Sequence, residues 1–90
     1  MQFRWNRTAE IMVAKIFGQD PDDTELLKRD IDPKLKFEIE NRRDKAVYSK
    51  GGQRRGRRIA EVETNDGTIL EVQFAQDVDG AYVVQTIEIG

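Results

Sequence analysis

Ile31-Asp32-Pro33-Lys34-Leu35-Lys36-Phe37-Glu38-Ile39-Glu40 is the stretch on which the fold of this 90-residue chain turns. From Lys34 onward polar and apolar residues alternate without a fault, the pattern of a strand with one buried face, which directs Leu35, Phe37 and Ile39 to a core. The same residues also carry a four-residue spacing, Ile31, Leu35 and Ile39, that would continue a helix. Pro33 tips the reading toward the strand, because it removes a backbone donor and drives Asp32 toward an extended conformation.

Upstream of that stretch the spacing is helical. Ala9, Met12, Val13, Ile16 and Phe17 recur at intervals of three and four, Asn6 or Thr8 can cap the start, and Gly18 stands where a C-terminal glycine belongs. Asp20-Pro21-Asp22-Asp23 then reads as the start of a second helix, about residues 21–30, with Asp20 as N-cap, Pro21 at the first helical position and acids facing the positive end of the helix dipole. Leu26 and Leu27 are expected to point inward. The acid cluster would also suit a hard cation, but capping already explains it.

Downstream, Asn41–Asp44 reads as a turn and Lys45–Ser49 as a short strand, with Val47 and Tyr48 on opposite faces. Ile59-Ala60-Glu61-Val62-Glu63-Thr64, the turn signal Asn65-Asp66-Gly67, and Thr68-Ile69-Leu70-Glu71-Val72-Gln73-Phe74 form a hairpin with Leu70, Val72 and Phe74 on one face. A further Asp-Gly turn at Asp79-Gly80 leads to a last strand, Ala81–Ile89. The expected fold is a single α+β domain spanning residues 1–90, two N-terminal helices packed on one face of a four- or five-stranded antiparallel β-meander.

Composition narrows the chemistry. The chain has no cysteine and no histidine, which removes disulfides, thiolate nucleophiles, the usual general base and the usual metal ligands. No cofactor and no metal are expected. No apolar run approaches the ~20 residues of a membrane span, and the start, Met1 to Asn6, lacks an apolar core of the secretory kind, so a soluble cytoplasmic protein is expected.

Charge is distributed unevenly. Arg42–Arg58 holds eight of the 15 Lys and Arg residues and one acid, Asp44, which makes the segment 8 − 1 = +7 and the remainder 7 − 16 = −9, for a total of −2. Gly51, Gly52 and Gly56 loosen the segment, which reads as a flexible basic loop between adjacent strands. Arg42, Arg43, Lys45, Tyr48, Lys50, Arg54, Arg55, Arg57 and Arg58 are the candidate contacts: cations for phosphate oxygens and one aromatic ring for a stacked base, a combination suited to single-stranded nucleic acid and to RNA more than DNA. A solvated charge run, or a segment that binds another protein, has the same composition.

Those residues, with the helical pair, the meander and the final Asp79-Gly80-Ala81-Tyr82-Val83-Val84-Gln85-Thr86-Ile87 strand, give a layout that resembles the small ribonuclease-toxin domains of the RelE-like, barnase, EndoU and colicin type. The resemblance covers about residues 6–89 as architecture. It implies RNA cleavage without histidine, in which Lys45 or Lys50 assists deprotonation of a ribose 2′-hydroxyl, Arg54 to Arg58 offset charge on the phosphate, and Tyr48 stacks on a base or donates a proton. Three classes therefore stand side by side: a nucleic-acid-binding module, a histidine-free ribonuclease, and a non-catalytic adaptor or inhibitor, for example from a phage or mobile element, that uses its charged faces on another protein.

Overall fold

The computed structural model describes the backbone of residues 1–49 and 52–90 and the side chains of residues 1–47 and 56–90. The elements run β1 (Phe3–Trp5), α1 (Arg7–Phe17), α2 (Glu25–Glu40), β2 (Lys45–Ser49), β3 (Gly52–Glu63), β4 (Ile69–Gln76) and β5 (Tyr82–Ile89). The strands form one five-stranded sheet in the order β1-β5-β4-β3-β2. The expected α+β class holds, and β2 to β5 are the expected antiparallel meander. The sheet is mixed all the same, because β1 runs parallel to β5, with Phe3 opposite Tyr82 and Trp5 opposite Val84. Three residues are too few to show an alternation, so β1 is visible only through its packing. The Phe3 and Tyr82 ring centroids lie 5.7 Å apart, and both rings pack against the core.

The stretch from Ile31 to Glu40 is the C-terminal part of α2, not a strand. Its four-residue spacing wins: Ile31 and Leu35 are fully buried and Ile39 packs beside the core, while Phe37, which a strand would have buried, is 51% exposed. Lys, Leu and Glu are strong helix formers, and the tertiary contacts of that face outweigh Pro33, which lies inside the helix with its ring exposed. The second helix also starts later than expected. Residues 21–22 are a turn, Asp20 accepts a hydrogen bond from the Asp22 N–H at 2.8 Å, and the helix opens at Glu25, so Leu26 faces solvent and only Leu27 turns toward the core.

The first helix follows its sequence closely. Asn6 Oδ1 accepts from the Ala9 N–H at 2.9 Å, and Gly18, at φ 65°, closes the C-terminus. Ala9 and Val13 from α1 and Ile31 and Leu35 from α2 meet Ala60, Val62, Leu70, Val72, Phe74, Val84 and Ile87 from the sheet. These strand residues alternate mostly with polar ones, although Ile59, Ile69, Ala75 and Val83 also lie on the other face, so among the described residues the helices cover one face and leave the opposite one open. The β3–β4 turn is fastened to α2: Asp30 accepts from the Asn65 N–H at 2.9 Å, and Lys34 donates to Asp30 at 2.5 Å and to Asn65 Oδ1 at 2.9 Å. Among the described residues no helix is long and apolar enough to cross a membrane.

Candidate functional site

Much of the basic segment is strand, where the sequence reads as a loop. Gly52 to Arg58 belong to β3, and β2 pairs back on them, with Ala46 opposite Arg58 and Tyr48 opposite Gln53. Residues 54–57 of β3 therefore face Val47 alone. This wide bulge is absorbed at Gly56, whose φ of 72° suits a residue without Cβ. Lys50 lies outside the described residues, as do the side chains of Tyr48, Arg54 and Arg55.

The five remaining candidates divide by position. Arg57 and Arg58 are neighbours on a strand and so point to opposite faces. Arg58 turns to the helix side, where its Nε donates to the Asp44 carboxylate and its Nη2 to the Asp44 carbonyl at 3.0 Å. Asp44 is 10% exposed, so this pair is a fixed structural bond between the start of β2 and the middle of β3. Arg43 lies with its guanidinium 5.3 Å from the centroid of the Phe37 ring and its Nε 3.9 Å from Glu38 Oε2. Arg42 is exposed at the end of α2, with a left-handed φ of 55°.

Arg57 points to the open face. Its Nε donates to Gln85 Oε1 at 2.6 Å and its Nη1 to Gln73 Oε1 at 3.4 Å. Both partners are neutral, so they orient the guanidinium without supplying a countercharge. Lys45 is registered with Ile59, which places it diagonally across from Arg57 on the same open face. Among the described residues, neither Arg42, Lys45 nor Arg57 has a carboxylate within ion-pair distance, in contrast to Arg4 with Asp77 and Asp79, Arg7 with Asp22, and Lys28 with Glu10.

Sequence reasoning missed the two glutamines. Gln73 was legible as the polar side of Val72 and Phe74. Gln85 was not, because it is the extra residue of a bulge: Phe74 pairs with Val84 and Gln73 with Thr86, which leaves Gln85 between them to reach Arg57. It also missed Asp32, because Pro33 reads as a break in the helix at that point. Asp32 is a half-buried residue of α2, accepts from Trp5 Nε1 at 2.8 Å, and borders a 490 Å³ depression with Phe3 and Lys36. Burial raises its carboxyl above the ordinary 3.8, against the lowering effect of the Trp5 hydrogen bond and the Lys28 charge. Searches for similarity give no significant match to this chain among family models, curated proteins or solved structures.

Proposed function

We propose that this protein binds single-stranded nucleic acid, RNA in preference to DNA, across the β2–β3 ribbon and the adjoining open face of the sheet. The observation that carries the reading is Arg57: a cation held in place by two uncharged amides, on an uncovered sheet face, within the segment that contains eight of the chain's 15 Lys and Arg residues. A phosphate reaching Arg57 displaces no carboxylate, and Lys45 on the same face and Arg42 at the end of α2 extend the positive field. Arg58, bonded to Asp44, has a supporting role in this scheme and offers little to a ligand.

Fluorescence anisotropy with a labelled single-stranded oligouridine, and with oligothymidine for comparison, tests the proposal. Log K is expected to fall with log salt at roughly −0.7 per phosphate neutralised. Arg57→Gln and Lys45→Gln are each expected to weaken binding by a similar modest step and flatten that slope, while Arg58→Gln leaves affinity nearly intact and lowers the thermal midpoint. Absence of binding at ~50 mM salt, or affinity indifferent to Arg57 and Lys45, overturns the proposal. Cleavage of the oligouridine by the purified protein, abolished by a single replacement at Tyr48 or Lys50, would instead make it a ribonuclease.

A further inference from the structure

The sheet has an unpaired edge. β2 begins at Lys45, opposite Ile59, so among the described residues the part of β3 from Ala60 to Glu63 has β4 on one side and no strand on the other. The Thr64 N–H donates to the Thr68 carbonyl at 2.9 Å, which sets the phase of the ladder: Ala60, Val62 and Thr64 turn their backbone groups toward β4. Glu61 and Glu63 therefore direct theirs outward. Beside this edge runs a groove made by two adjoining cavities of about 360 and 440 Å³ that share Glu38. Its helix wall is Pro33, Lys34, Phe37 and Glu38, and its strand wall includes Val62 and Glu63. Arg43 and Lys45 line the first cavity, while Lys34 is already bonded to Asp30 and Arg43 lies over the Phe37 ring. Glu38 Oε2 is buried there without a hydrogen-bond partner among the described residues.

We propose that this edge is a docking site for an extended peptide segment of a partner protein, one that alternates basic and apolar residues and adds to the sheet as a sixth strand in line with β2. Backbone pairing with Glu61 and Glu63 supplies the register. The faces of the sheet dictate the side chains. Peptide residues on the open face come beside Glu61 and Glu63, with Glu71 directly across β4 from Glu61 and Glu88 across β5 from Glu71, so cations fit there. Residues on the other face enter the groove against Val62 and the half-exposed Phe37 ring, so apolar side chains fit there. Charge disfavours a second copy of the chain as the occupant. Any antiparallel pairing of two such edges that keeps the helices on one side sets Glu61 or Glu63 opposite a glutamate, and like charges in that position repel.

The test uses a short synthetic peptide of alternating lysine and valine, added to the full chain and read by amide hydrogen exchange and by affinity. Protection is expected to rise at the amides of Glu61 and Glu63. A peptide N-methylated on the edge that faces β3 is expected not to bind, and an alternating glutamate–valine peptide is expected to bind far more weakly. The double variant Glu61→Lys with Glu63→Lys, at two exposed positions, is expected to keep the native thermal midpoint and lose about tenfold in affinity. Protection confined to other strands, equal binding of the N-methylated or acidic peptide, or concentration-dependent dimerisation through residues 60–63 overturns the proposal, and the peptide arms do so on the unmodified protein even if the double variant fails to fold.

Discussion

Arg42 sits where helices commonly place glycine. Its N–H donates to the Ile39 carbonyl at 3.1 Å and the Arg43 N–H to the Glu38 carbonyl at 2.9 Å, which closes α2, and the closure requires the left-handed φ of 55°. A side chain in that region costs about 1 kcal/mol relative to glycine, so Arg42→Gly is expected to raise the thermal midpoint by ~4–8 °C in calorimetry. A lowered midpoint would contradict that backbone. Asp32 makes a second prediction, with a pH sign. Because burial raises its pKa in the fold, the native state holds the proton more readily than the unfolded chain, so the ionised carboxylate subtracts stability above its folded pKa and subtracts nothing below 3.8. Asp32→Asn keeps an oxygen for Trp5 Nε1 and removes the charge. It is expected to stabilise the protein at neutral pH, with the advantage shrinking to nothing in acid. Glu10 behaves oppositely: Lys28 at 2.6 Å lowers its pKa, so its contribution is present above 4.5 and is lost as the pH falls through the folded value. Thermal melts of Asp32→Asn, Glu10→Gln and the parent protein across the acid range check both signs.

At the scale of elements, α2 separates what a pattern reveals from what packing decides. The alternation from Lys34 to Glu40 is real, yet it describes a helix whose buried stripe is Ile31, Leu35 and Ile39 and whose Phe37 lies off that stripe. The two periods share Leu35 and Ile39, so only Ile31 and Phe37 discriminate, and Pro33 biased the reading the wrong way. Substitution tests the difference directly. Leu35→Asp is expected to unfold the domain, since burying an unpaired charge costs several kcal/mol, whereas Phe37→Asp is expected to be tolerated. Pro33→Ala is expected to stabilise the helix by ~1–3 kcal/mol, measured by urea unfolding, because an interior proline forfeits a hydrogen bond. The turn end of the β3–β4 hairpin, Ile59 to Phe74, was legible by contrast, because Asn65-Asp66-Gly67 and the Leu70, Val72, Phe74 alternation agree at every level. The candidate site was half legible. Composition located the cations, but three glycines made β3 look like a loop, which concealed that Arg57 and Arg58 face opposite ways.

Viewed whole, the molecule is electrically divided along its sheet. The β2–β3 ribbon carries the cations, while Glu61, Glu71 and Glu88 form a registered row across β3, β4 and β5 on the same open face, with Glu63 beyond it. On the proposed function, the first end attracts the polyanion and the second repels it, an asymmetry that would orient a strand of nucleic acid on the face. Neutralising the acidic row should therefore favour binding, and Glu61→Gln with Glu71→Gln is expected to strengthen oligonucleotide binding at low salt, by a factor that vanishes at high salt. The most direct measurement is a titration of isotope-labelled protein with oligouridine, followed amide by amide and at the Gln73 and Gln85 side-chain amides. The expected result is a footprint on Lys45, Arg57 and the two glutamine side chains, with α1 and the Glu61–Glu71–Glu88 row unperturbed. A footprint that spares Arg57 and both glutamines, or no saturable shift at low salt, would contradict nucleic-acid binding at this face.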